Sequence, residues 1–396
     1  MAKRLVVCCD GTWNRPDQLA GGVAAPTNVT KVALAVARED SEGIAQLLHY
    51  EPGVGTRRLE RIRGGAFGVG LSRNVRSCYR FLVENYEPGD ELYFFGFSRG
   101  AFTARSTAGL VRNSGILRAA HVDRIKDAYA LYRARGQRGH PRGIEAQIFR
   151  RMYSHPDPEI HFVGVWDTVG ALGIPIDGVR MPWITKRWSF HDTTLSSHVH
   201  FAFQALAIDE QRGPFRPTLW EQQKDATGQT LEQVWFAGVH SDVGGGYSDP
   251  GLAEIPLLWM VERARECGLA FASDHFLVAV DGIDPEQRHL GAQIAPDALG
   301  AMHESRKGFY RALAAYVRPL AADRSAVASS AVQRRDERAD YQPPNLAEYL
   351  STGGTITPVR SLSAELHRHG DLAAPGADAA GVAAAEESLG AEADVR

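Results

Sequence analysis

Residues 90–105 read DELYFFGFSRGAFTAR. Leu92, Tyr93, Phe94, Phe95 and Phe97 form an apolar, strand-forming run. Gly96 and Gly100 bracket one serine, Ser98, and helix-forming sequence follows at once. Strand, G-x-S-x-G, helix is the order of a nucleophile elbow, a tight turn that lifts a serine hydroxyl to the top of a sheet. A side chain at 96 or 100 would crowd such a turn, and the serine between them must take a strained backbone conformation. The helix that begins at Arg99 aims its first N–H groups at the same point, which makes the Arg99 amide a candidate oxyanion donor.

A serine hydroxyl is a poor nucleophile without a base, and the base needs an acid to orient it. On this architecture the partners follow in the order Ser, Asp or Glu, His, each just after a strand. EIHFVGVWDTVG (159–170) and LEQVWFAGVHSDVGGG (231–246) are apolar runs that end at a polar residue, and they put Asp167 and His240 at the carboxyl ends of predicted strands. Asp242, two residues beyond His240, competes with Asp167 as the orienting acid, and the sequence leaves that choice open. His161, His191, His198, His200 and His303 lie inside a strand, in a polar connection or before a helix, and read as surface or capping residues. Asp10 in DGTWN reads as the organiser of the first loop, whose Gly11 and Thr12 amides would supply the second oxyanion donor.

The rest of the chain fits one alternating pattern. RLVVCC (4–9) reads as a strand buried on both faces, and TNVTKVALAVARE (27–39) as a helix capped by Thr27 or Asn28. AQLLHYEPGVGT (45–56) reads as a strand and glycine turn, 74–86 as a helix stopped by EPGD, and PLLWMVERARECG (256–268) as a further amphipathic helix. Strands alternating with helices predict an α/β fold, with a mostly parallel sheet covered on both faces. GGAFGVG (64–70) lacks the register of a phosphate-binding loop and reads as a flexible glycine loop beside the substrate mouth. We expect one domain over 1–370, with cap insertions near 116–156 and 172–200. The Ala/Gly/acid-rich stretch 371–396 is expected to be a disordered tail.

Composition narrows the function classes. The 396 residues are 44% hydrophobic and 23% charged, enough to bury a sizeable core, and the net charge of −3 carries no footprint for nucleic acid. Cys8, Cys9, Cys78 and Cys267 are too few and scattered for a disulfide framework and lack zinc-ligand spacing, so we expect reduced thiols and no metal site. The apolar run in MAKRLVVCCDGTWN is too short for a signal peptide core or a membrane span. A cytoplasmic chain is expected, with export by a route that reads no signal peptide left open. VRMPWITKRWSFH (179–191) mixes Trp183 and Trp188 with Arg180, Lys186 and Arg187; it reads equally as a cap touching an anionic lipid surface or as a loop folded onto the core. HVDRIKDAYALYRARGQRGHPRG (121–143), rich in Lys and Arg, reads as a solvated helix or part of the same cap.

Seven ordered blocks carry a family resemblance: VVCCDGTWN, YEPGVGT, DELYFFGFSRGAFTAR, FVGVWDTVGALGIP, FHDTTLS, ALAIDEQRGPF and WFAGVHSDVGGGY. They resemble the uncharacterised alpha/beta-hydrolase domain family that includes type VI secretion phospholipase effectors. The match runs from residue 3 to YQPPNLAEYL (341–350). The resemblance implies an α/β-hydrolase fold with a G-F-S-R-G elbow, and Ser98, Asp167 and His240 as nucleophile, acid and base, in agreement with the residue-level reading. It also implies hydrolysis of a phospholipid ester and an immunity or secretion partner; acyl-serine chemistry needs no cofactor, and contact with a membrane surface is the expectation set by 179–191. A soluble small-ester hydrolase or amidase is the alternative; a non-catalytic module on the same fold would lack a triad member, and none is missing. Family members often carry a histidine where this chain has Gln204. Asp209, Glu210 and Arg212 of AIDEQRGPF read as a buried ion-pair corner.

Overall fold

The computed structural model describes residues 2–360 apart from 13, 15–16, 21, 54–65, 135, 171–193, 225, 279–290 and 292. Arg4–Cys9 forms strand β1, and all six of its residues are buried. The fully apolar run is what a central strand covered on both faces requires. Gln46–Glu51 (β2), Glu91–Phe97 (β3), Ile160–Trp166 (β4), Val199–Ala207 (β5), Thr230–Phe236 (β6), Ala326–Ala328 (β7) and Ile356–Thr357 (β8) complete the sheet. Its order is β8-β7-β6-β5-β4-β3-β1-β2, and every pairing in it is parallel. The expected α/β-hydrolase architecture is therefore present.

Side-chain alternation along the strands builds two cores. Val6, Cys8, Tyr93, Phe95, Phe162 and Trp166 point to one face, where helices α1 (Asn28–Ala35) and α7 (Gly251–Glu266) cover them. Leu5, Val7, Cys9, Leu92, Phe94 and Val163 point to the other, under α2 (Ala66–Asn85), α3 (Arg99–Ser114) and α4 (Ile125–Arg133). The period of two is what places neighbouring residues of one strand in different cores. A third cluster joins Trp235 and Leu206 to α8 (Ser329–Glu337) and α9 (Pro344–Ser351), extending the sheet past β6.

Several local expectations change. The glycine-rich stretch read as a flexible loop is helical from Ala66 onward, as the first turn of α2. Glycine is a weak helix breaker, and here the apolar stripe of Val75, Cys78, Tyr79, Leu82 and Val83 outweighs it. α7 starts five residues before the sequence pattern and carries Pro256 inside it. Strand β5, nine residues long, is not marked in the sequence, because its near-continuous apolar run follows a polar connection without a turn signal. Between α3 and β4 the chain forms a 3₁₀ turn (Ala119–Arg124), α4 and α5 (Ile144–Tyr153); α4 buries only Ile125 and Ala128. Tyr129 and Tyr132 of α4 also pack partly buried against the core, so the helix is solvated on one face only, and a role as a cap stays a proposal. The 371–396 tail lies outside the described residues, as does most of the 172–200 insertion, including Trp183 and Trp188. Among the described residues no helix is long and apolar enough to cross a membrane.

Candidate active site

The chain runs from β1 to β2 on one side and then crosses back to place β3 on the other side of β1. Ligand crevices of parallel sheets open at such a reversal, outside the carboxyl ends of the strands. The loops that leave β1 and β3 meet there. A Cβ on Gly100 would lie 2.0 Å from the carbonyl oxygen of Cys9 and 2.5 Å from that of Asp10. A Cβ on Gly96 would lie 2.6 Å from the Ala101 Cα. Both glycines of the motif are thus required by close backbone approach, not by composition.

Ser98 sits between them at φ 57° and ψ −118°, a conformation that costs a non-glycine residue of order 1–3 kcal/mol. Its amide donates to the Trp166 carbonyl at 3.0 Å, which ties the elbow to the end of β4. The Ser98 hydroxyl lies 2.8 Å from His240 Nε2, and His240 Nδ1 lies 2.6 Å from Asp167 Oδ2. All three residues are buried. A carboxylate only accepts, so Nδ1 carries the proton toward Asp167 and Nε2 is left to accept from the serine hydroxyl.

His240 begins the short helix α6 (His240–Gly244), and its ring packs between Phe97 and Phe215, with centroids 4.6 and 5.0 Å away. Burial lowers its pKa from the ordinary value, although Asp167 pulls the other way. Asp167 follows β4 with φ 36°, a second strained position at the site. Its carboxylate accepts from the Ala207 amide at 3.2 Å and from both terminal nitrogens of Arg318, at 2.6 and 3.0 Å. Burial alone would raise the Asp167 pKa, but Arg318 and His240 together hold it well below the usual carboxylate range.

The other sequence candidates resolve as follows. Asp242 is turned away from His240: it accepts from the Val239 amide at 3.0 Å and pairs with His303 Nδ1 at 2.6 Å. His303, read as a surface residue, stacks on Tyr247 with centroids 3.8 Å apart. Asp10 organises its loop, accepting from Gly11 N at 2.6 Å, Thr27 Oγ1 at 2.8 Å, Thr30 Oγ1 at 3.0 Å and Tyr50 OH at 2.6 Å. The Gly11 amide is therefore engaged by Asp10, whereas the buried Thr12 hydroxyl has no hydrogen-bond partner among the described residues. Glu210 and Arg212 form the ion-pair corner, 2.7 Å apart; Glu210 also accepts from the His240 amide at 3.3 Å. Gln204 is buried and donates to the Thr218 carbonyl at 3.2 Å. Arg318 lies in no motif and is not marked in the sequence, whereas His303, read there as a surface or capping residue, is the partner of Asp242.

A parallel α/β sheet with a strained serine elbow at its topological switch defines a hydrolase-type catalytic domain. The chain belongs to the family described as type VI secretion system phospholipase effector Tle1-like, catalytic domain, whose model matches residues 3–263. An uncharacterised protein of Saccharomyces cerevisiae is 29% identical over 235 residues, covering 54% of this chain and 32% of the yeast protein. Among solved structures, an uncharacterised protein from Pseudomonas aeruginosa matches with a TM-score of 0.40 at 19% identity, over 68% of this chain and 46% of that one. A Tle1 effector solved bound to the VgrG spike of the type VI secretion system matches with a TM-score of 0.35 at 18% identity, over 63% of this chain and 52% of that one. The chain spans about a third of the length of its yeast relative and about half of the solved ones.

Proposed function

We propose that this protein is a serine hydrolase that cleaves carboxylic esters of lipids through an acyl-Ser98 intermediate. The observation that carries the reading is the unbroken hydrogen-bond chain Asp167–His240–Ser98 ending at a strained elbow. His240 Nε2 takes the hydroxyl proton as Ser98 Oγ attacks the ester carbonyl carbon. The tetrahedral oxyanion is held by the Arg99 amide at the start of α3 and by the loop after β1; with Gly11 bonded to Asp10, Thr12 is the donor we assign there. His240 then gives its proton to the leaving alcohol, and the same base activates water to release the fatty acid. Asp167 fixes the tautomer and offsets the imidazolium charge, and Arg318 keeps Asp167 ionised and in place.

Membership in a phospholipase effector family supports phospholipid acyl esters as the substrate class. The same membership supports a secretion or immunity partner, a reading that stands on the family alone. The test is Ser98→Ala, which should leave the far-ultraviolet spectrum and melting temperature unchanged while hydrolysis of a nitrophenyl ester and of phospholipid falls by at least ~10³-fold. A fluorophosphonate should label Ser98 and nothing else. Retention of substantial activity in the alanine variant would sink the assignment.

A further inference from the structure

Cys9 ends β1, His49 and Glu51 end β2, and Cys78 lies in α2. Cys9 and Glu51 are paired in register on adjacent strands, and His49 is two positions before Glu51. All three side chains therefore project from the face on which α2 packs. The donor atoms of His49, Glu51 and Cys78 lie within 4.8 Å of one another. The Cys9 sulfur is 3.6 Å from that of Cys78, and His49 Nε2 is 3.4 Å from Glu51 Oε2. That His49 nitrogen is buried and has no hydrogen-bond partner among the described residues, since its approach to Glu51 has the distance of an ion pair without the geometry of a hydrogen bond.

We propose that Cys78, His49 and Glu51, with the Cys9 thiol beside that of Cys78, bind a soft divalent transition-metal cation of the zinc class. A thiolate, an imidazole and a carboxylate are ligand types such ions select, and three of them leave the fourth tetrahedral position to water or to the neighbouring Cys9 thiolate. Zn–S bonds of about 2.3 Å at a tetrahedral angle separate two sulfurs by roughly 3.8 Å, close to the spacing of Cys9 and Cys78. The ring of His49 is fixed by stacking on Phe81 of α2, with centroids 5.2 Å apart. His49 and Glu51 retain 25% and 13% of their side-chain exposure, which sets the group just beneath the surface, with the His49 Nε2 and both sulfurs buried. No spacing rule reveals the group in sequence, because its members come from three separate elements.

The site ties the ends of β1 and β2 to α2, immediately before the Asp10–Thr12 loop. Its consequence is structural: a bound cation steadies the strand end from which that loop departs. It takes no part in the proton transfers of Ser98 and His240, and its binding is read without any ester.

The full chain, reduced and stripped with a chelator, is titrated with Co²⁺ under exclusion of air. We expect one equivalent to bind, with the thiolate-to-cobalt charge-transfer band and the visible bands of a tetrahedral ion, and Zn²⁺ to displace it and raise the melting temperature. Cys78→Ser and His49→Ala should each weaken binding by ~10-fold or more, since even outer-shell partners of a metal contribute that much. Cys267→Ser and Ser98→Ala should bind Co²⁺ as the parent does. His49→Ala, at a half-buried strand end, decides the matter if Cys78→Ser does not fold. A folded, reduced chain that binds no stoichiometric Co²⁺ or Zn²⁺, or an unchanged cobalt spectrum in either ligand variant, overturns the proposal.

Discussion

Arg318 grips Asp167 with both terminal nitrogens, at 2.6 and 3.0 Å, and neither side chain reaches solvent. The same guanidinium donates to the carbonyls of Ala207 and Phe215, which fixes it between two loops. Arg318→Met removes the charge and keeps much of the volume. It leaves a buried carboxylate with no cation beside it and only the His240 ring and the Ala207 amide as donors, a loss of about 3–5 kcal/mol in buried pairs. Because the Asp167 pKa is depressed in the folded protein, its contribution is complete above the ordinary carboxylate value of about 4. It is lost as pH falls from there toward the depressed value, so urea unfolding of parent and variant should diverge at neutral pH and converge in acid. With the cation gone, the imidazolium of His240 is favoured, and the acid limb of kcat/KM should move to higher pH. An unmoved limb would mean that Arg318 only packs the loop.

Asp167 and Asp242 exchange their ambiguity for distinct partners: one meets His240, the other His303. Asp167→Asn should leave His240 in the wrong tautomer and lower kcat by roughly 10⁴-fold. Asp242→Asn leaves the Asp167–His240 bond in place and should cost much less, mainly through the α6 turn that Asp242 braces at Val239. Steady-state kinetics of the two variants decide it, and a larger loss from Asp242→Asn would reverse the assignment.

How far the site could be read in advance follows from where its residues stand. Ser98, Asp167 and His240 each terminate an apolar run, and a parallel sheet must gather strand ends at one edge. Arg318 stands 151 residues from Asp167, in a stretch with no periodic pattern, so nothing local marks it. Its partner becomes evident only once the chain beyond β6 returns over the site. The same holds for β7 and β8, of three and two residues, which are too short to leave a pattern; β7 adds to the open edge of β6 and β8 to that of β7. Gly100 shows the reverse case, where the motif and the structure agree on one cause: the Cys9 carbonyl occupies the place of a side chain.

Burial lowers the pKa of His240 below its usual value near 6.5. As the proposed base, His240 must be neutral to accept the serine proton, so kcat/KM should rise with pH through a midpoint below ~6.5 and stay level above it. A pH profile on a soluble ester, with enzyme stability checked at each pH, measures this. A midpoint above 7 would mean that Asp167 outweighs desolvation at the imidazole.

Substrate choice is tested at the 179–191 segment. If Trp183 and Trp188 insert into a lipid surface while Arg180, Lys186 and Arg187 meet phosphates, each basic residue contributes about 1 kcal/mol near an anionic membrane. Hydrolysis of dispersed short-chain esters should then be modest and should rise when vesicles rich in anionic phospholipid are offered. Replacing both tryptophans by alanine should abolish that rise and spare a soluble nitrophenyl ester, because Ser98, His240 and Asp167 are untouched. Added salt should weaken the vesicle response alone, since it screens exposed charges within about 8–10 Å at moderate ionic strength. Equal losses on both substrates would make the segment part of the core. Good turnover of small esters with no hydrolysis of any phospholipid would assign the site to soluble esters instead.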